Sequence, residues 1–507
     1  MKQILAILIA LATVGLTAAA QPTAANGSVR LRPCRISSQS NQARAHGAQR
    51  MAKATRYAGQ LRQMVVLVSF GDLQFKDNNT MTTWDRIFNE EGLSEEPFVG
   101  SIHDYFYDQS YGLLDLRFDL QRIALPDSRR KYRSTDSDDE NSKYLVNDIT
   151  DTLLTRNIDW ARYDWNGDGR INQLLIIYAG KGMNDGGDAN TIWPHQLSLS
   201  EHENSAPRTV GSATATYTID SYACIQELSG DGSYGSFGTI CHEFCHCFGL
   251  PDFYSGSTSY VGDWDLMDYG NYNGNGFRPC GFSAYERWFM GWLTPTELTE
   301  GATIVGMKAL NNDAQAYLIR NDGHRDEYYL IENRQQTGWD ELLPGSGIVI
   351  AHVDYDEQSW AVEYQPNSSQ KSGYTIIPAN NAPSLHYSDG WAYPHEGNNE
   401  LTDGSSPAAT LNHANLDGGL LMSKPITRMT VNGGRAAFDF MGGDPAGIHS
   451  IVNSPTNPAR FDIKELSTVN SVYDLQGRRV ANCQLSTVNC QLLKNGVYVV
   501  NGKKVVR

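Results

Sequence analysis

Basic charge is in short supply: 41 Lys and Arg against 57 Asp and Glu leave a net charge of −16 over 507 residues. Nucleic-acid binding needs a basic face, so that class is excluded. Long apolar runs are also missing. The stretch from Ile4 to Leu16 is too short for an ordinary membrane span, and no later segment is long enough. That stretch follows Lys2 and precedes Ala18, Ala19 and Ala20, so residues 1–20 read as a secretory signal cleaved before Gln21. No cysteine follows that point closely, which argues against a lipid anchor. The expectation is a soluble, monomeric chain, secreted or held at the cell surface, with no transmembrane segment once matured. Cysteines decide little. Cys241 and Cys245 are four apart, a poor spacing for a helical disulfide, so any bridge must reach a distant partner such as Cys224 or Cys280. Free buried thiols fit equally well.

What the chain does hold is concentrated in Cys241-His242-Glu243-Phe244-Cys245-His246-Cys247-Phe248-Gly249-Leu250-Pro251-Asp252. On a helix, His242 and His246 share one face, where both imidazoles can reach one metal ion. Glu243 lies one step round, beside the open side, placed to take a proton from a bound water. Gly249 ends the helix because glycine alone takes left-handed backbone angles cheaply. Pro251 cannot continue it either, so the chain turns and Asp252 can swing back as a third ligand. Three protein ligands plus a water is the layout of a catalytic zinc; a structural zinc is closed by four.

A second piece lies at Trp264-Asp265-Leu266-Met267-Asp268-Tyr269-Gly270. The helix, the glycine turn and a methionine turn together resemble the metzincin clan of zinc peptidases. Leu250-Pro251-Asp252-Phe253-Tyr254 followed by Trp264-Asp265-Leu266-Met267 resembles the immune inhibitor A family more closely, and the secreted snapalysins share the His, His, Asp pattern. The resemblance implies an α+β fold: a zincin-like catalytic domain with a mixed sheet and an active-site helix. It implies Met267 as a hydrophobic base under the metal. It also implies Tyr269 near zinc and the oxyanion, since astacin-like relatives keep a tyrosine there. Another zincin branch takes its third ligand from a downstream helical glutamate, which keeps Glu286 open as the alternative to Asp252. The implied activity is a zinc endopeptidase acting on polypeptides. Two other classes remain: an inactive zincin domain used for surface adhesion, and a metal-dependent amidase acting on cell-wall material.

A chain of this length calls for two or three domains plus appendages. Residues 21–62 lack acidic side chains and carry Arg30, Arg32, Arg35, Arg44, Arg50, Lys53, Arg56 and Arg62, so they read as a basic leader or pro-segment. Cys34 in that segment is a candidate latency thiol, because zinc binds cysteine sulfur readily. Residues 63–300 are the expected catalytic domain. Val65–Phe70, Leu114–Leu125 and Gln173–Ala179 read as strands, and Ser101–Gly112, Tyr144–Leu154 and Gly281–Trp292 as helices. Within this half, Asp164, Asn166 and Asp168 occupy positions one, three and five of a candidate calcium loop, with Arg170 and Asn172 at the next alternate positions. The closing glutamate is missing, since Leu175 stands there. The competing reading is an Asx-rich turn.

Metzincin-like proteins add substrate as an antiparallel strand on the sheet edge beside the zinc helix. His195 is a candidate for lining that cleft or for a structural hydrogen bond. Residues 301–442 are β-rich and sandwich-like, and His352 and Asp354 there read as strand residues without a site. Residues 443–464 are linker-like. Residues 465–507 read as a run of β-hairpins that resembles the C-terminal sorting modules of the bacterial type IX system, which implies the export machinery as a partner.

Overall fold

The computed structural model describes residues 57–443, apart from 77, 136–138, 236 and 363–364, and beyond them short strands at 448–449, 472–473, 479–481, 497–500 and 503–506. The secretory signal, the leader with Cys34, and the linker lie outside the described residues, apart from the pieces named here.

The first half is built on strands β1 (Gly59–Ser69), β2 (Leu114–Ala124), β3 (Leu174–Lys181), β4 (His195–Ser198), a hairpin of β5 (Arg208–Ser212) and β6 (Ala215–Ile219), and β7 (Ser221–Leu228). The main sheet runs β2-β1-β3-β7-β4, parallel except for β4, which closes one edge antiparallel to β7. Helices α1 (Met81–Asn89), α2 (Ile102–Gln109), α3 (Ser142–Leu153) and α4 (Phe237–Cys245) cover it. Strand alternation divides them between two faces. Met64, Val66, Leu174, Ile176 and Cys224 face α3 through Leu145, Val146 and Ile149. Val65, Leu67, Leu175, Ile177 and Ile225 face the opposite core, with Trp84, Phe106, Ile240 and Phe244.

β1 begins inside the expected leader. Tyr57 is already buried, with its hydroxyl donating to Phe248 O (3.1 Å) and its carbonyl accepting from Trp292 Nε1 (2.6 Å). Arg62, counted with the basic leader, pairs across the sheet with Asp119, its Nε 2.7 Å from Oδ2. Residues 57–62 therefore belong to the sheet and its core. The helix expected over 281–292 is shorter, α5 (Ala284–Phe289), capped by Ser283 and Glu286.

After residue 295 the chain forms β8 (Thr296–Glu297), β9 (Ala302–Met307), β10 (Tyr317–Arg320), β11 (Glu327–Arg334), β12 (Gly347–Asp354), β13 (Tyr374–Ile376), β14 (Ile426–Asn432) and β15 (Arg435–Phe440). One sheet runs β13-β12-β11-β10-β8; a second contains β14, β15 and β9. Every residue of β11 and β12 is buried, and the two periodic faces explain why. Tyr329, Ile331, Ile348 and Ile350 pack toward β9, β14 and β15 through Ile304, Met429 and Phe438. Tyr328, Leu330, Val349, Ala351 and Val353 point the other way, into the core that holds Phe253, Trp264, Met267 and α4. The β-rich half thus shares a core with the first half. The short strands at 472–473, 479–481, 497–500 and 503–506 form a separate antiparallel sheet.

Candidate metal centre

Every residue of α4 is buried, its polar side chains included. It packs so closely that a Cβ on Gly238 would overlap the carbonyl oxygen of Asn271, so only glycine fits there. After Cys245 the helix tightens into a 3₁₀ turn, His246–Phe248, and ends at Gly249 with φ 99°. That left-handed residue reverses the chain. His246 Nδ1 bonds the carbonyl of Leu250 (2.8 Å) just beyond the reversal, and His242 Nδ1 bonds the carbonyl of Leu266 (2.8 Å). A carbonyl can only accept, so each Nδ1 carries a proton, and in the neutral ring each Nε2 presents a lone pair. Both Nε2 atoms face Asp252, whose Oδ1 lies 3.1 Å from that of His242 and 3.6 Å from that of His246. The imidazole planes are nearly perpendicular, with centroids 5.1 Å apart. The ligand atoms of His242, His246 and Asp252 all lie within 4.8 Å of one another.

The electrostatics favour positive charge here. Burial alone would lower the His242 pKa. The adjacent Asp252 carboxylate, with Glu243 and the Leu266 carbonyl, outweighs it and carries the value up to about 9. His242 Nε2 and Asp252 Oδ1 are buried polar atoms that make no hydrogen bond. Leaving such atoms unsatisfied costs about 1–3 kcal/mol each, a penalty a bound cation removes. Two imidazoles locked through Nδ1 by backbone carbonyls, plus one carboxylate oxygen, form a donor set that fits a catalytic zinc.

The turn at residues 264–268 supports the cluster in ways its side-chain sequence does not reveal. Leu266 contributes only its carbonyl, yet that atom sets the His242 tautomer. Asp265 Oδ1 accepts from Met267 N (2.9 Å), and Met267 O accepts from Phe253 N (2.9 Å), tying the bend after Asp252 to the turn. Asp268 Oδ2 accepts the N–H groups of Tyr260, Val261 and Gly262 at 2.9, 2.8 and 3.1 Å. Burial pushes both Asp265 and Asp268 up to about 6. Met267 is fully buried in the core beside α4. The ring of Tyr254 stacks on His242 with centroids 6.1 Å apart. From the β-rich half, Arg334 NH1 donates to Trp264 O (3.3 Å), Ser388 O accepts from Trp264 Nε1 (3.1 Å), and Asn367 Nδ2 donates to Phe253 O (2.9 Å).

The other expected residues lie elsewhere. Glu286 is outside the converging group: its Oε2 accepts from Ser283 N (2.7 Å) and Oγ (3.1 Å) at the start of α5. Burial, then the charge of Asp265, holds its pKa well above the usual carboxylate range. Tyr269 directs its hydroxyl to Ser257 O at 3.4 Å. His195 is fully buried and bonds Trp193 O (2.6 Å), the structural of its two expected roles. In the loop from Asp164 to Asn172, Asp164 accepts Asp168 N (3.1 Å) and Gly169 N (2.9 Å), and Asp168 accepts Arg170 N (2.9 Å). Asn166 Nδ2 donates to Asp168 Oδ2 (2.9 Å), and Asn172 Oδ1 accepts Trp165 N (2.9 Å). This is the Asx-turn arrangement. Cys224, Cys241, Cys245, Cys247 and Cys280 are buried and join no disulfide among the described residues. Among the described residues no helix is long and apolar enough to cross a membrane.

Comparison with known proteins agrees with this geometry. Immune inhibitor A of Bacillus thuringiensis subsp. alesti is 27% identical over 288 residues, covering 47% of this chain and 41% of that relative. The chain therefore spans less than half the length of the curated relative it matches. Residues 52–293, which contain the whole His-His-Asp group, match the family model described as immune inhibitor A peptidase M6, catalytic domain.

Proposed function

We propose that this protein is a secreted zinc endopeptidase. The observation that carries the reading is the convergence of His242, His246 and Asp252 at the exit of a buried helix that also bears Glu243. These three side chains would hold the ion. Zinc, when bound, supplies Lewis acidity and lowers the pKa of water toward 7. Glu243 takes the proton given up as water attacks the scissile carbonyl, and then passes it to the leaving amine. Leu266 O and Leu250 O keep the two rings oriented throughout. β4 is the outer strand of the main sheet, and a substrate strand paired along it would run beside α4. Tyr269 would reach the oxyanion only by leaving Ser257 O, and the reaction as proposed proceeds without it.

The reading extends to the ends of the chain. Residues 1–20 would direct secretion, the basic segment after them would act as a pro-segment over the acidic cleft, and residues 465–507 would serve as a sorting module. The Asp164–Asn172 loop, with its side-chain oxygens gathered in one tight turn, would take calcium.

Casein hydrolysis by the purified mature chain, with bound metal counted, tests the core of this. Glu243→Gln should lower turnover at least about 100-fold, the lower end for general acid–base catalysis, while zinc content stays the same. Asp252→Ala should lose zinc and activity together. Undiminished hydrolysis by Glu243→Gln removes that residue from the base role. Wild-type protein without stoichiometric zinc ends the metal reading. Activity on muropeptides but not on casein would favour the amidase class, and metal without either activity the adhesive one.

A further inference from the structure

A second constellation of metal-ligating side chains lies in the β-rich half. His324 sits in the turn between β10 and β11, Asp354 ends β12, and His413 lies in the loop that precedes β14. One ligand atom from each lies within 4.8 Å of the others. The two imidazole rings are stacked, with centroids 3.9 Å apart and planes 11° from parallel. His413 Nε2 is 3.1 Å from Asp354 Oδ1. Asp354 is buried, His324 is partly exposed and His413 is exposed, so the cluster opens to solvent on one side.

The loops that bring the three together are held by a dedicated frame. Glu327, fully buried, accepts His352 Nε2 (2.7 Å) and the backbone N–H of Asn412 on one oxygen. On the other it accepts His413 N (3.0 Å) and Asn321 Nδ2 (2.9 Å). Asn321 Nδ2 also donates to His413 O (2.9 Å), and Asn412 Nδ2 donates to Asp354 Oδ2 (2.9 Å). The two loops approach so closely that a Cβ on Gly323 would stand 2.4 Å from Ala414 O, backbone that cannot move aside cheaply. His324 Nδ1 is buried and makes no hydrogen bond. An oriented carboxylate, backed by hydrogen bonds to its other oxygen, beside two imidazoles on clamped loops is how proteins build metal sites.

We propose that His324, Asp354 and His413 bind a divalent transition ion, a second site separate from the one on α4. Two imidazole nitrogens with one carboxylate select Zn²⁺, Cu²⁺ or Ni²⁺ over Ca²⁺ or Mg²⁺, which take oxygen ligands. Parallel rings do not aim two lone pairs at one point, so loading turns the solvent-exposed His413 ring while Asp354 stays fixed by Asn412. The ion clips the β10–β11 turn to the loop before β14 and so stabilises the β-rich half without taking part in hydrolysis. The site depends only on that half and stands whether or not the first centre is catalytic.

The test is ion counting on metal-stripped full-length protein reloaded with Zn²⁺ and dialysed, with thermal unfolding followed in parallel. Wild type should retain two ions per chain. His413→Ala and, separately, His324→Ala should each retain one, with casein hydrolysis unchanged and with zinc-dependent stabilisation reduced. His242→Ala should also retain one, and His242→Ala with His413→Ala none. His413→Gln, which keeps the size of an exposed side chain, serves as the second substitution should alanine disturb the loop. A wild type that retains a single ion lost in His242→Ala, or a His413→Gln variant with the full wild-type complement, overturns the second site.

Discussion

Replacing Arg334 with methionine separates the contribution of one buried guanidinium to the fold and to the metal centre. Arg334 is fully buried on β11 and donates through Nε and NH2 to both oxygens of Asp340 at 2.9 and 2.7 Å. It also donates to Glu332 Oε1 (3.1 Å), to Gly281 O (2.9 Å) and, across to the methionine turn, to Trp264 O (3.3 Å). Methionine keeps most of the aliphatic volume and removes all five bonds. The main loss comes from stranding the buried Asp340 and Glu332 carboxylates, and breaking a buried pair in this way costs about 3–5 kcal/mol. At roughly 2–4 °C per kcal/mol for large domains, the melting temperature should fall by about 6–20 °C, toward the lower end for a chain of this size. Trp264 stands two residues before Leu266, whose carbonyl orients His242. Zinc affinity should therefore fall by at least about tenfold, as it does when an orienting partner is lost. Near-UV circular dichroism on heating and zinc titration of the full-length protein read both effects. Adding Asp340→Asn, which neutralises one stranded carboxylate, should recover part of the stability. A shift under about 2 °C with unchanged zinc affinity would show that the β-rich half does not brace the site.

Four further outcomes follow from the same structure. Hydrogen bonds from His352, Asn412, Asn321 and His413 overcome burial and hold Glu327 at about 2, below its ordinary 4.5. The folded pKa is the lower one, so this stability is full above pH 4.5 and is lost as pH falls toward 2; Glu327→Gln should flatten the acid limb in urea-unfolding midpoints. Asp265 and Asp268 act with the opposite sign: raised to about 6, they add stability below pH 4 that fades as pH rises through 6. A chain ending at residue 300 should be insoluble or lack a cooperative transition, because it would expose the core face now covered by Tyr328, Leu330, Val349 and Val353; a zinc-loaded, cooperatively melting 57–300 fragment would refute the shared core. Millimolar Ca²⁺ should raise the melting temperature of wild type but not of Asp168→Ala, and equal responses would leave the loop a plain Asx turn.

Local pattern made the helix and its exit legible. Two histidines four apart, a glycine and a proline carry their geometry in their spacing, and the structure brings their side chains to one point with Asp252. The strands β1, β2 and β3 were equally open to reading, because the apolar runs of β1 and β3 and the alternation of β2 match the burial they attain. The start of β1 was hidden by Arg62, whose charge reads as leader until Asp119 is found across the sheet. α1 carries a readable signal as well, with Trp84, Ile87 and Phe88 at i, i+3 and i+4 behind a Thr80 cap, but its nine residues make a short window beside the longer helices. The support under the metal was invisible in principle, since the carbonyls of Leu266 and Leu250 have no sequence signature. Arg334 meets Trp264 only through the tertiary fold. His352 lies two residues before Asp354 in the chain, yet it bonds Glu327, and the groups beside Asp354 come from turns elsewhere in the chain.

The sheet of β11 and β12, with apolar side chains on both surfaces, limits how this protein can be taken apart by recombination. A crossover near residue 300 that joined halves from two relatives would have to match both along the whole shared core at once. Exchange of the whole block from Tyr57 to Gly443 preserves those contacts, so inherited variation in the first half and in its β-rich companion should travel as one unit.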